Sequence, residues 1–324
     1  PRINRLGALA QNAITALDQA DAPALGAAMD EAHTVLAELS LSLPVLDDLA
    51  EAARTAPPRD NGGNQDIKNL SKGSRIFYPV FVDGAEPGDA LKVTLVGFKP
   101  SGWGWTANIP GFGLLADQFT EAALHIWKYD AAAMTPALYG PGGRVPLKPF
   151  TGTIGLAPAE AGLHSVVPPR RVGGNLDVRD LCAGTELYLP VEVAGALFSV
   201  GDTHAAQGDG EVCGTAIESP MDVTLKFDLV KGANLCFPRF TTSGPVTRHL
   251  DAEGYEVTIG VGPDLMAGAR DAVSGMIDLL TARHGMSAVE AYMLCSVCGD
   301  LRVSEIVDMP NWVVSFYFPR VVLS

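Results

Sequence analysis

Two short polar clusters hold the residue types that hydrolytic chemistry needs. The first is Asn175 and Asp177, one residue apart and preceded by Gly173-Gly174; the second is Asp202, His204, Gln207, Asp209 and Glu211, with Glu218 a few residues on. On an extended chain alternate side chains face the same way, so Asn175 and Asp177 can address one bound group, and Asp202 and His204 share the same spacing. Gly173-Gly174 lets the backbone come close to a ligand. An imidazole, carboxylates and an amide within ten residues suit a hard or borderline divalent cation, Zn²⁺ first and Ca²⁺ as the alternative. The same strings are also ordinary turn chemistry, since Asp-Gly and Gly-Asp pairs make turns and a histidine beside an aspartate is often just a hydrogen-bonded turn residue. Spacing leaves both readings open.

Between the clusters lies an apolar run, residues 187–200, punctuated by proline and glycine, which reads as strand. Around it the chain changes character twice. Residues 1–56 are rich in Ala, Leu and acids, with apolar positions at helical spacing, and predict two or three helices. From residue 60 the pattern is β: strands over 75–82 and 90–98 that pair, a glycine- and aromatic-rich loop over 101–115, a short helix over 117–125, a loop over 136–148, and strands over 150–156 and 221–229. Helices follow over 264–283, after Gly262-Pro263, and over 287–298, where Ser287 and Glu290 have capping-box spacing. Residues 312–322 close the chain as a buried strand. The expected class is α+β: a helical segment (1–58), a β-rich core of sandwich or barrel type (59–232), and an α/β portion (233–324).

An internal echo suggests a duplicated β unit. Asn61 to Asp66, then Ile76 to Val82, line up with Gly173 to Asp177, then Leu187 to Val193, at a constant offset of 111. The first copy repeats Asn64 and Asp66 but has no counterpart of the His204 cluster.

Composition narrows the partners. The formal net charge of -14 argues against nucleic acid and anionic membranes, which need a basic patch, and favours a small neutral or cationic molecule. No apolar run reaches the roughly 18 residues of a membrane span, and Pro1-Arg2-Ile3-Asn4 does not open a signal peptide, so a cytoplasmic location is expected. Five scattered cysteines make no disulfide framework. Cys295 and Cys298 read as small buried residues rather than a redox pair, and Cys213 likewise; His164 beside Ser165 reads as loop packing, because adjacent residues on an extended chain point apart.

The string from Val172 to Glu218 resembles the acetamidase/formamidase family, as do Gly84 to Asp89, Trp103 to Leu115 and Leu301 to Asp308. The likeness covers about residues 76–324 and leaves residues 1–56 outside. It implies hydrolysis of a small aliphatic amide, formamide or acetamide, to ammonia and the carboxylic acid, on a metal-bearing, β-rich fold that forms homo-oligomers. Set beside that implication, Asp177, Asp202 and His204 are the expected cation ligands, Asn175 and Gln207 orient substrate or ligands, and Glu211 or Glu218 is the base. The contrasting reading is a non-catalytic β-rich binding or assembly module built on the same core.

Overall fold

The computed structural model describes residues 79–323 apart from 141, 163 and 308. The helices expected before residue 57, Asn64, Asp66 and the first half of the 75–82 strand lie outside the described residues. The elements are β1 (Ala90–Pro100), β2 (Trp103–Asn108), β3 (Ala123–Lys128), β4 (Ala137–Tyr139), β5 (Gly143–Val145), β6 (Phe150–Gly155), β7 (Gly173–Asn175), β8 (Glu186–Pro190), β9 (Ser199–His204), β10 (Met221–Val230), β11 (Arg239–Thr241), β12 (Tyr255–Gly262), α1 (Leu265–His284), α2 (Ala288–Cys298), β13 (Asp300–Glu305) and β14 (Trp312–Pro319). This is the α+β, β-rich class, with two described helices and no closed barrel among the described strands.

β1 alternates as a half-buried strand should, with Leu91, Val93 and Leu95 fully buried, each contributing roughly 1.5–3 kcal/mol. It pairs antiparallel with β10 on one side and β8 on the other, in a sheet ordered β10-β1-β8-β11. These partners replace the expected pairing with residues 75–82, whose described part makes one bridge, Val80 to Phe198. Under this sheet Ile154, Phe198, Leu187 and Leu189 fill a first core.

A second core gathers Trp127, Tyr139, Met276, Tyr292 and Phe316 between α1, α2 and the sheet β12-β14-β13. α1 starts where Asp264 caps the backbone N–H of Ala267. α2 starts on a complete capping box, Ser287 with Glu290.

Three expected segments fold differently. Residues 101–115 contain β2, and residues 136–148 contain the β4–β5 hairpin. The helix expected over 117–125 stops at one turn, closed by the Phe119 amide on the Leu115 carbonyl, because Asn108 Nδ2 takes the Phe119 and Glu121 carbonyls instead. The chain then runs as β3 along β2, which buries Trp127 and exposes Leu124 and Ile126, a period of two. His125 packs beside Trp127 and Tyr139.

Candidate active site

A third sheet, ordered β7-β6-β9, carries both polar clusters into one place. β6 is the middle strand: Thr153 pairs with Asn175 of β7, and Phe150 pairs with His204 of β9. The register puts Gly152 of β6 opposite Asp202 of β9. The Gly152 carbonyl accepts from the amides of Leu176 and Asp177, which turns the chain after β7 inward. Asp177 (φ 48°), Asp202 (φ 54°) and Glu211 (φ 41°) all sit in the left-handed region, where ordinary side chains are rarely found unless surroundings force them.

His204 is the hub, 1% exposed. Its Nδ1 lies 2.9 Å from Gln207 Oε1, and Gln207 Nε2 donates to the Asp177 carbonyl at 2.7 Å. A carbonyl only accepts, so the Gln207 amide has one consistent orientation, and Nδ1 of the imidazole must carry the hydrogen. Nε2 is then the working nitrogen. It faces Glu218 Oε2 at 3.0 Å and Asp202 Oδ1 at 3.3 Å. The Phe150 ring stands edge-on to the imidazole, centroids 5.0 Å apart. Thr153 Oγ1 contacts both Asn175 Oδ1 (2.7 Å) and Asp202 Oδ2 (3.1 Å), and Asn175 Nδ2 donates to Asp177 Oδ2 at 2.8 Å.

Seven of the eight cluster residues, all those expected to have a site role, therefore converge. Two donor triads share His204: Asp177 with Glu211, and Asp202 with Glu218. Asp177 and Asp202 stand in different triads, joined through Asn175 and Thr153. Asp209 turns away and meets Arg179 instead, at 3.3 Å.

Four carboxyl groups around one imidazole make an electrostatically crowded interior. Burial pushes the Asp177 carboxyl up to about 6, with Asp202 and Glu218 adding to the effect of burial and His204 opposing it. Burial and then the neighbouring Asp177 push Glu211 up to about 9. For Asp202, burial alone would raise the pKa, but the hydrogen bond and charge of His204 win and lower it. Burial likewise works against charging His204, yet Glu218 and Asp202 outweigh it and raise its pKa well above the usual range. Without a cation, a proton on His204 and another on Glu211 offset part of the charge.

Two observations test whether a cation suits this site. Asp177 Oδ1 is buried and has no hydrogen-bond partner, a costly state for a carboxylate oxygen. Gly152 leaves open the space between the two triads: a Cβ there would lie 2.5 Å from Asp177 Oδ1 and 2.9 Å from His204 Cε1. Carboxylate oxygens and an imidazole nitrogen are the donors that Zn²⁺ accepts, so the residues fit.

Gly152, Thr153 and Phe150 escaped the sequence reading. The available signal was a glycine between two threonines inside an apolar strand, where a bare backbone marks close approach. The other nucleophile candidates stay structural. Burial pushes the Cys213 thiol up to about 12, and burial also raises Cys295 and Cys298. His164 meets the Glu160 carbonyl through Nε2 at 2.8 Å, outside the cluster.

A model of the acetamidase/formamidase family matches residues 6–86, 82–166 and 159–324. The match begins at residue 6, so it extends into the N-terminal stretch that the sequence motifs had left outside the likeness. The chain is similar to an acetamidase of Mycolicibacterium smegmatis, 31% identical over 237 residues, 52% of this chain and 58% of that one. It thus spans less than two thirds of that relative's length. It is also similar to a formamidase of Methylophilus methylotrophus, 27% identical over 332 residues, 80% of each chain. Among solved structures, the γ-lactamase from Delftia acidovorans superposes with a TM-score of 0.69 at 27% identity, covering 76% of both chains.

Proposed function

The chain belongs to the acetamidase/formamidase family, and on that footing we propose that it hydrolyses a small linear amide, formamide or acetamide, to ammonia and the carboxylic acid with a divalent cation in the His204 cluster. The observation that carries the cation's part is the buried excess of carboxyl groups, four around one imidazole, together with the unpartnered Asp177 Oδ1. Buried charge of one sign calls for a counter-charge. His204 Nε2, Asp177, Asp202 and Glu218 would hold the ion. A nitrogen donor among carboxylates favours Zn²⁺ over Ca²⁺, which takes oxygen ligands.

Bound there, the ion would polarise the amide carbonyl and bring the pKa of a water towards neutrality. Glu211, in the triad with Asp177, is the proton carrier. It takes a proton from the attacking water as the oxygen bonds to the carbonyl carbon, then returns it to the amide nitrogen as the C–N bond breaks and ammonia leaves. Gln207 holds His204 with Nε2 free for the ion, and Asn175 with Thr153 keeps Asp177 turned towards it.

Ammonia release from formamide and acetamide, measured with metal content before and after chelation, tests this reading. The parent chain is expected to carry Zn²⁺, to lose activity on chelation and to regain it on Zn²⁺ addition. Glu211→Gln should keep the ion and lose ~10²–10⁴-fold in turnover, whereas Asp202→Asn should lose both. Undiminished turnover in the chelated chain sinks the cation's part. A loaded chain that releases no ammonia from either amide, and opens no γ-lactam, sinks the amidase reading.

A further inference from the structure

Two residues after Asp177, Arg179 sends its side chain into the interior, where only 4% of it is exposed. Its guanidinium grips Asp300 with both terminal nitrogens, NH1 to Oδ1 and NH2 to Oδ2, the latter at 2.9 Å, and Asp300 is fully buried. Its Nε lies 3.3 Å from Asp209 Oδ1. Asp300 is the first residue of β13, directly after α2, and its Oδ1 also accepts from the Asp209 amide at 3.3 Å. A fork of this kind fixes direction as well as charge.

The 207–211 loop is fastened to the same junction by its backbone. The Gly208 amide donates to the Ser296 carbonyl at 2.9 Å, and the Leu301 amide donates to the Asp209 carbonyl at 2.8 Å. Gly208 lies so close to Gly299 that a Cβ would meet its carbonyl oxygen at 1.9 Å. One guanidinium therefore ties together the turn that carries Asp177, the loop that carries Gln207 and Glu211, and the start of β13. Those two segments set the Asp177 and Glu211 carboxyls side by side in one donor triad, and the junction fixes their separation.

We propose that the Arg179–Asp300 pair is a positioning clamp that holds Glu211 against Asp177 in working geometry. It touches neither substrate nor ion. The proposal rests on Glu211 as the proton carrier, so it deepens the amidase reading. Lysine at 179 keeps the positive charge beside Asp300 but reaches with a single point instead of a fork. Misplacement of a reacting group by about an ångström costs as much as ~10²-fold in rate.

The test is Arg179→Lys, read by crystallography and by ammonia release. The expected result is a wider separation of the Asp177 and Glu211 carboxyls and kcat lowered ~10–10²-fold, with KM and Zn²⁺ content at the parent's values. An unchanged separation with parental kcat overturns the clamp, and so does a fall in Zn²⁺ content that accounts for the lost rate. Should Arg179→Lys fail to fold, Asp209→Asn loosens the Nε contact at a half-exposed side chain and is expected to move both readouts the same way, by less. The carboxyl separation decides the clamp whether or not the parent turns over amide, and the parent's ammonia release decides the amidase reading by itself.

Discussion

Gly152→Ala is the sharpest single perturbation of the site. Gly152 has no need of glycine's φ freedom; only the space matters. Ordinary contact begins at 3.4 Å, and an added Cβ would meet Asp177 Oδ1 at 2.5 Å and His204 Cε1 at 2.9 Å, short by about 0.9 Å and 0.5 Å, with the Asp202 carbonyl at 3.0 Å behind them. All three neighbours are held: Asp177 by Asn175, His204 by Gln207, and β9 by its register with β6. Overpacking of this kind costs ~1–3 kcal/mol of stability, and a shift near 1 Å in the ligands costs ~10²-fold in turnover, about 2.7 kcal/mol in the barrier. Thermal unfolding, Zn²⁺ content and ammonia release are measured together on Gly152→Ala and on Gly97→Ala. Gly97 lies on β1 with nothing within 4 Å of its added Cβ, so that control should be neutral or gain about 0.4–1 kcal/mol. Folded Gly152→Ala protein with parental Zn²⁺ content and kcat/KM would show that the space between the triads is not where the chemistry happens.

Two further predictions concern the frame around the site. Ser287→Ala removes the side-chain half of the α2 capping box, in which Ser287 Oγ accepts from the Glu290 amide and donates to Glu290 Oε2, and leaves the backbone half, the Ser287 amide on Glu290 Oε2 at 2.9 Å. It should cost ~1 kcal/mol and lower Tm by ~2–4 °C, and an unaltered Tm would mean the cap does not contribute. Asp89 accepts from Lys231 Nζ at 2.6 Å, with the Gly232 and Glu86 amides adding to it, and the Lys231 hydrogen bond leads in pulling its pKa from 3.8 to about 2. The folded pKa is depressed, so this stabilisation is complete above the unfolded value and disappears as pH falls from about 4 through 2. The urea midpoint should decline over that window, and Asp89→Asn should flatten the decline. An identical slope in the variant would refute the assignment.

What the sequence discloses depends on how far a feature reaches along the chain. The α2 capping box and the alternation of β1 are local patterns, and both were legible. The cluster's membership was legible too, but not its geometry: the expected extended spacing gives way to left-handed backbone at Asp177, which lies beyond the end of β7, and at Asp202. The 117–125 stretch misled because its helix signal was short, and Asn108, more than ten residues upstream, took the carbonyls that a helix would have used. Gly152 carried only a partial signal, because a glycine in a strand marks a close approach without saying what it makes room for. Arg179 and Asp300 are 121 positions apart, so no spacing rule connects them. The echo at Asn64 and Asp66 was legible as a pattern, but its structural meaning lies outside the described residues.

The left-handed backbone at Asp177, Asp202 and Glu211 follows from the same competition between local and tertiary forces. Each such residue costs of order 1–3 kcal/mol, and bringing their carboxyls together in the interior adds repulsion. Local preference would relieve both by letting the turns relax outward. The fold prevents this at each position by a contact from another part of the chain: Gln207 holds the Asp177 carbonyl, β6 pairs on either side of Asp202, and the Ser296 and Leu301 backbone hold the loop leading to Glu211. Left-handed backbone also occurs at Met134, Ala196, Leu197 and Asn234, so the strain alone does not mark a site; what distinguishes this cluster among the described residues is that three ionisable groups share it around one histidine. Three acids in those conformations, facing one histidine with its Nδ1 already committed, supply the donors and the proton carrier that the proposed amidase site calls for.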